Sequence, residues 1–227
     1  MADKPKKSSL FLVGLALLAG LVAGAITVYV SETQSGNGSS NTQSASAAHA
    51  CSLSDDSKTA LKSAAAGEMQ TMRIADKPVP LADVGFQLAS GEETTFGAWK
   101  DRVVLLNIWA TWCGPCREEM PDLAELQKLY GGDDFEVLAL NVDRNGGAKP
   151  QRFLDEINAN ALNLYLDPSN KSFQALRSKG LVFGLPTTMI VDTSGCVQGV
   201  LAGIAHWGSD DAKNLVEVAK KALRAES

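Results

Sequence analysis

The sequence predicts an α/β domain with a mixed β-sheet and helices on both faces, for three reasons. Residues 103–109 and 135–142 are apolar, β-branched runs typical of buried central strands, and a helical segment separates them. Residues 187–191 and 197–202 read as two strands around the turn Thr193-Ser194-Gly195, which indicates a hairpin. Hydrophobic residues make up 45% and charged residues 21% of the chain, which excludes a wholly disordered, collagen-like or coiled-coil protein.

Three segments precede this domain. Residues 10–30 carry no charge and are long enough to cross a bilayer core of about 30 Å, which predicts a transmembrane anchor. Three lysines lie in residues 1–9, so the positive-inside rule places that segment in the cytoplasm and sends the rest of the chain across. Residues 31–50 are rich in Ser, Asn, Gln, Gly and Ala and predict a flexible linker, with the domain over 51–227.

A cleaved signal peptide is the main alternative to the anchor. Its apolar region would normally span about 7–15 residues and end near a small-x-small cleavage site. Here the apolar run is longer, and the one segment that matches the cleavage-site pattern, Ala48-His49-Ala50, lies far beyond it. A lipoprotein is disfavoured because Leu21 stands where the lipid-bearing cysteine should follow Leu18-Ala19-Gly20.

The elements of the domain follow in order from local patterns. A helix is predicted over 54–66, with Ser54 as its cap and acidic residues in its first turn. The proline-rich residues 77–80 are interpreted as the end of this N-terminal region. Short strands at 86–88 and 93–95 flank Ser90-Gly91 and predict a second hairpin. The remaining predictions are helices over 113–130, 150–160, 171–179 and 210–224, and a strand over 162–166.

The charge balance restricts the class of partner. The whole chain has a net charge of −5, and residues 51–227 carry 18 basic and 24 acidic side chains. An acidic domain without a basic stripe argues against nucleic acid as the main partner.

The strongest functional signal is the segment Trp112-Cys113-Gly114-Pro115-Cys116, which follows a predicted buried strand and opens a helix. The free N–H groups and partial positive charge of a helix N-terminus favour a thiolate at its first cysteine. We therefore predict that Cys113 is the nucleophile and that Cys116 is the resolving thiol, which attacks the mixed disulfide. Gly114 and Pro115 shape the turn, and Pro115 stiffens it.

A metal site is disfavoured. A zinc site needs four ligands, and the other two cysteines and two histidines of the chain are not at clustered spacing. We expect no cofactor and no metal, only a redox-active disulfide between Cys113 and Cys116.

Two segments resemble a known family. Residues 103–116, VVLLNIWATWCGPC, resemble the active-site strand and turn of thioredoxin-fold proteins, and residues 184–188, GLPTT, resemble their cis-proline loop. With the anchor and the helix–strand unit at 150–166, the chain is similar to the TlpA-like, membrane-anchored group that includes TlpA, ResA and CcmG. The resemblance covers roughly residues 76–222. It implies a thioredoxin fold with a mixed sheet, an N-terminal extension and a central helix–strand insertion.

The resemblance also implies roles for individual residues. Trp109 and Trp112 match the aromatic residues beside the redox pair, with Trp109 in a supporting position. Pro186 matches the cis-proline, and Trp112, Leu185 and Pro186 are expected to contact the substrate.

One position departs from the family pattern. Thioredoxins have a buried acid six residues before the first cysteine, whereas this chain has Asn107, which cannot act as a base. Water or another carboxylate then accepts the proton of the resolving cysteine, or the resolving step is slow at low pH. The glutamates of the redox helix, Glu118, Glu119 and Glu125, are interpreted as a solvated face, and Trp207 as a packed core residue.

Cys51 and Cys196 are the two cysteines of the chain that lie outside the redox motif. In an oxidising compartment two spare thiols usually pair, so we expect a structural disulfide that ties the N-terminal helix to the edge of the sheet. Two free thiols or an intermolecular bridge are the open alternatives.

The resemblance implies a periplasmic reductant of protein cysteines in cytochrome biogenesis, in haem attachment or in copper-site assembly of cytochrome oxidase. Its implied partners are periplasmic client proteins and a transmembrane thiol carrier as electron donor. The implied state is a monomer anchored in the inner membrane. The Gly-Pro dipeptide is that of thioredoxin, whose potential is about −270 mV.

Three other functions compete with this one. A disulfide oxidase or isomerase uses the same fold with another dipeptide. A non-enzymatic copper-binding module would use wider cysteine spacing and a distant histidine. A peroxiredoxin-like peroxidase would need Thr and Pro where the chain has Ala110 and Leu106.

Overall fold

The computed structural model describes residues 51–224, which form one eight-stranded mixed sheet in the order β1-β8-β7-β4-β5-β6-β2-β3. The predicted α/β class with a mixed sheet is confirmed. The strands are β1 (Arg73–Pro80), β2 (Gly85–Leu88), β3 (Glu93–Thr95), β4 (Val103–Trp109), β5 (Phe135–Asn141), β6 (Leu164–Leu166), β7 (Thr187–Val191) and β8 (Cys196–Ala202). The helices are α1 (Asp55–Ala64), α2 (Gly114–Tyr130), α3 (Ala148–Glu156), α4 (Lys171–Ser178) and α5 (Asp210–Arg224).

The centre of the sheet positions the redox motif. Strand β4 pairs in parallel with β5 and antiparallel with β7, and all residues of these three strands are buried. A strand that buries both sets of alternating side chains must be covered on both faces, which explains the continuous apolar runs. Because β4 and β7 are antiparallel, the end of β4 lies beside the start of β7, where Ile108 pairs with Thr187.

The proline-rich segment at 77–80 is a strand, so its interpretation as the end of a region was wrong. Strand β1 pairs antiparallel with β8, from Arg73 opposite Val200 to Pro80 opposite Cys196. The register shifts between Ile74 and Val79. Proline cannot donate a ladder hydrogen bond, so it is tolerated in β1 because this strand lies at the edge of the sheet.

The central insertion exists, but its boundaries differ from the prediction. Helix α3 begins at Ala148 and ends at Glu156, not at 160. Asn158 adopts a left-handed conformation with φ of 56°, which asparagine tolerates better than most residues and which ends a helix. Strand β6 follows and pairs in parallel with β5.

Cys51 and Cys196 are joined by a disulfide, the pairing that the sequence analysis preferred, with their Cα atoms 5.7 Å apart. It links the segment before α1 to the first residue of β8. Ser54 caps α1 by accepting a hydrogen bond from the backbone N–H of Ser57 at 3.2 Å. The N-terminal helix is therefore held covalently to the sheet.

We predict that the double substitution C51A/C196A lowers the free energy of unfolding by about 5 kcal/mol. The chain-entropy model gives this value for a loop closed over 145 residues. Guanidinium titration of the variant and the wild type measures it. The control is C113S/C116S, which opens a loop of three residues and should cost less than half as much. A loss below about 1 kcal/mol in C51A/C196A would contradict the prediction.

In residues 51–224, no helix has the length and apolar character needed to cross a membrane. The predicted cytoplasmic segment 1–9, anchor 10–30 and linker 31–50 lie outside the described residues.

Candidate active site

The cysteine pair lies where β4 ends and α2 begins. Cys113 and Cys116 form a disulfide in this structure. Cys113 is the N-cap of α2, and its Sγ accepts a hydrogen bond from the backbone N–H of Cys116 at 3.2 Å. Cys113 is 6% exposed, whereas Cys116 is fully buried. The helix N-terminus therefore directs an N–H group at the sulfur that a client can reach.

A groove of about 770 Å³ opens beside Cys113. Trp112, whose exposed fraction is 67%, forms one side, and Gly184 with Leu185 forms another. The loop after β5, the start of α3 and the start of α4 supply the third side, and the motifs did not predict this wall. Its members are Val142, Asp143, Arg144, Asn145, Lys149, Asn170, Phe173 and Gln174.

The proline loop lines the same groove as Cys113 through Gly184 and Leu185. The peptide bond between Leu185 and Pro186 is cis. The carbonyl of Pro186 accepts a hydrogen bond from the backbone N–H of Gly203 at 2.9 Å, which ties the loop to the end of β8. Leu185 lines the groove. Phe183 and Ile204, which are 79% and 48% exposed, add apolar surface near this loop that sequence reasoning did not identify.

Trp109 supports the site from within the core and does not reach the groove. It is fully buried, and its ring centroid lies 5.7 Å from that of Phe153 on α3. The guanidinium of Arg117 lies 4.9 Å from the centroid of the same Phe153 ring. The insertion is thus packed against both the active-site strand and the first turn of α2.

Glu119 is buried about one helical turn after Cys116, so its interpretation as part of a solvated face was wrong. It is 1% exposed, while Glu118 and Glu125 are exposed as expected. Residues three apart lie on the same face of a helix, and Glu119 follows the buried Cys116 by three. That spacing was the signal in the sequence that could have identified it.

A set of donors holds the Glu119 carboxylate. Asn107 Nδ2 donates to Glu119 Oε1 at 2.7 Å and also contacts Thr188 Oγ1 at 2.9 Å. The other oxygen, Oε2, accepts from the backbone N–H of Ala205 at 3.4 Å and from Trp207 Nε1 at 3.3 Å. Trp207 is fully buried, as predicted, and it also orients this acid. Asn107 therefore does not supply a carboxylate itself. It holds in place the carboxylate of Glu119, which α2 supplies.

Burial raises the pKa of Glu119 to about 7, although the hydrogen bonds from Asn107, Ala205 and Trp207 act to lower it. A group with a pKa near the working pH can both accept and release a proton. Glu119 thus matches one of the three alternatives left open at Asn107, another carboxylate.

The raised pKa predicts a dependence of stability on pH. The folded protein binds the Glu119 proton more tightly than the unfolded chain, whose pKa is about 4.5, so stability falls as pH rises from about 4.5 to 7. We expect the wild type to lose about 3 kcal/mol more over this window than E119Q does. Urea titrations at several pH values measure the difference. Parallel stability curves for the two proteins would contradict it.

Asp143 fixes the loop before the cysteines and was also missed. Its carboxylate accepts hydrogen bonds from the backbone N–H of Thr111 at 3.2 Å and from the Thr111 hydroxyl at 2.5 Å. Asn141 Oδ1 in turn accepts from the Asp143 N–H at 2.9 Å. The end of β5 is thereby joined to the turn that carries Trp112.

Within residues 51–224, no three His, Cys, Asp or Glu side chains are grouped so that they could hold a metal ion.

The family model described as Redoxin matches residues 74–218, which is more than half of the chain. The chain belongs to the Redoxin family. This redoxin is 34% identical to the thioredoxin-like protein YneN of Bacillus subtilis over 127 residues, 53% of the chain and 68% of that relative. It is 31% identical over 113 residues to the thiol-disulfide oxidoreductase ResA of Geobacillus thermodenitrificans, which covers 50% of the chain and 62% of that protein.

A solved structure shares the fold. It is described as a thiol:disulfide interchange protein DsbE from Chlorobium tepidum, with a TM-score of 0.54 and 26% identity. The match covers 64% of this redoxin and 99% of that chain. These comparisons confirm the resemblance to the thioredoxin-fold group. The names of the relatives agree with the predicted enzyme class, a thiol–disulfide oxidoreductase. The redoxin spans about three fifths of the length of ResA.

Proposed function

We propose that this redoxin is a membrane-anchored, periplasmic thiol–disulfide oxidoreductase that reduces protein cysteines during cytochrome biogenesis. The observation that carries the proposal is a Cys-Gly-Pro-Cys disulfide at a helix N-terminus, with Cys113 beside a groove and a buried Glu119 three residues after Cys116. The names of the relatives, a thiol-disulfide oxidoreductase and a thiol:disulfide interchange protein, support the class of reaction.

The reaction begins with the reduced pair. The Cys113 thiolate attacks one sulfur of a client disulfide, whose S–S bond breaks while a bond forms between that sulfur and Cys113 Sγ. The other client sulfur leaves as a thiolate and takes a proton from water. Cys116 then gives its proton to the Glu119 carboxylate and attacks Cys113 Sγ, which releases the second client thiolate. Two electrons pass to the client, and the Cys113–Cys116 disulfide remains.

The position of the remaining site residues around the groove suggests their roles in binding the client. Trp112 and Leu185 provide apolar contact beside Cys113, and Pro186 lies at the start of β7, next to the end of β4. Proline has no N–H, so it leaves room for a client backbone at the sulfurs. Asn107 and Trp207 hold Glu119 in place during proton transfer.

The apolar segment 10–30 supports an inner-membrane anchor, with the domain on the periplasmic side as a monomer. The reductant has to be regenerated there, which requires a transmembrane thiol carrier because cytoplasmic thioredoxin cannot cross. The clients in this proposal are apocytochrome c or copper-site proteins of cytochrome oxidase assembly. Protease treatment of spheroplasts tests the location, since it should digest the domain in the wild type and leave a variant lacking residues 10–30 protected.

The redox potential tests the direction of the reaction. The full-length protein in non-ionic detergent is equilibrated with glutathione buffers, and thiols are counted by mass. We expect one exchanging pair, Cys113 and Cys116, with a potential below about −200 mV, and an oxidised Cys51–Cys196 pair throughout. A potential near −120 mV, the range of strong oxidants, would contradict the proposal and indicate a disulfide donor.

A further inference from the structure

The third wall of the groove is basic, although the domain as a whole is acidic. Arg144 and Lys149 line the groove that contains Cys113, and both are exposed. The acid that lines the same groove, Asp143, is 5% exposed, and its oxygens accept hydrogen bonds from Thr111. The two cations thus face the groove without a solvated carboxylate among its lining residues.

Several cations elsewhere on the domain are held in ion pairs. Lys58 lies 2.5 Å from Asp76, Arg102 lies 2.6 Å from Glu136, and Arg224 lies 2.5 Å from Asp134. Among the described residues, neither Arg144 nor Lys149 forms such an ion pair. An unpaired positive charge in a concave site attracts negative groups from solution and orients them on approach.

The same groove has an apolar side. Trp112 and Leu185 flank Cys113, and Phe173 lies on the wall that carries the cations. A chain segment whose disulfide sulfur reaches Cys113 therefore meets both apolar side chains and positive charge in this groove. Its best charge complement is Asp or Glu close to the cysteine that is attacked.

We propose that this redoxin selects client disulfides that are flanked by acidic residues, and that Arg144 and Lys149 recognise those residues. The inference rests on the proposed function, and it adds the chemical class of the client to it. The two cations act on association with the client, so they change the rate constant of the bimolecular step, while the electron and proton transfers of that step are those already described.

The test uses reduced full-length protein in non-ionic detergent and three peptides with one common disulfide. The disulfide is flanked by two Glu, two Gln or two Lys residues. Stopped-flow mixing gives second-order rate constants, and the readout is the ratio of the Glu-peptide rate to the Lys-peptide rate within each protein. We expect a ratio above about ten for the wild type at low ionic strength, and a ratio near one in about 1 M salt, where screening is short-ranged.

Two variants with the same change in net charge locate the effect. R144E/K149E should reverse the preference, so that its ratio falls below one. The matched control is R73E/K77E, because both residues are exposed cations on β1 at the far edge of the sheet and do not line the groove. This control should keep the wild-type ratio.

The outcomes separate the two proposals. A wild-type ratio within twofold of one, or an equal loss of preference in both double variants, would overturn the acidic-client assignment while leaving the reductase intact. Failure of the reduced protein to react with any of the three peptides would overturn the proposed function and the client class with it.

Discussion

Substitution C116S is expected to stop catalytic turnover and to trap the client as a mixed disulfide on Cys113. Cys113 is 6% exposed and lines the groove, whereas Cys116 is fully buried, so the first attack on a client belongs to Cys113. The Cys116 N–H aimed at Cys113 Sγ favours the thiolate needed for that attack. Without the Cys116 sulfur, the active site has no second thiol that can attack and resolve the mixed disulfide. We expect turnover to fall at least about a thousandfold, in line with the loss of a residue that forms the covalent intermediate.

The matched variant is C113S, which removes the other sulfur of the same pair. Non-reducing mass spectrometry should detect a one-to-one adduct with a client peptide in C116S and no adduct in C113S. Both variants should lose turnover. An adduct that forms equally well in the two variants would contradict the assignment of Cys113 as the nucleophile, because it would show that the buried sulfur is reached as readily as the one in the groove.

Substitution E119Q is expected to slow the resolving step by about a hundredfold at pH 7 and to remove its dependence on pH near 7. Glu119 follows Cys116 by three residues on the buried face of α2, and burial raises its pKa to about 7. Only the ionised form can accept a proton, so the wild-type rate should rise as pH passes through about 7. General-base assistance typically contributes about 10² to 10⁴ in rate, which sets the expected loss.

The control for this prediction is E118Q, the same chemical change at the neighbouring position, where the side chain is exposed. Stopped-flow fluorescence can follow the decay of a preformed mixed disulfide from pH 5 to 9 in the wild type and both variants. E118Q should keep the wild-type rate and inflection. If E119Q retained an inflection near pH 7, or if E118Q lost it, Glu119 would not be the proton acceptor.

Asn107 and Glu119 together stand where thioredoxins have a single buried acid. The strand supplies a donor, Asn107 Nδ2, and the helix supplies the carboxylate 2.7 Å away. Trp207 Nε1 and the Ala205 N–H complete the set from the segment before α5. In the proposed mechanism the proton acceptor lies on α2, whereas thioredoxins carry it on the active-site strand, so residue 107 by itself does not reveal it.

Much of the fold and the core of the site could be predicted because their signals are local. The continuous apolar run at β4 requires a buried strand, the spacing of Cys113 and Cys116 requires a tight turn at a helix start, and Ser54 marks a cap. The pairing of Cys51 with Cys196 was predicted from an even cysteine count and the expectation of an oxidising compartment. Strand β1 was missed, because the prolines in its sequence are compatible with either a loop or an edge strand.

The sequence by itself determined the α/β class, the cysteine pair at a strand–helix junction and the proline loop, since each depends on residues close together in the chain. Tertiary structure alone decided what holds the Glu119 carboxylate, because its contacts with Asn107 and Trp207 depend on how α2 packs against the rest of the domain. It also decided that Arg144 and Leu185, distant in sequence, line one groove with Cys113. Burial and charge proximity depend on packing between elements, and local patterns carry no direct record of that packing.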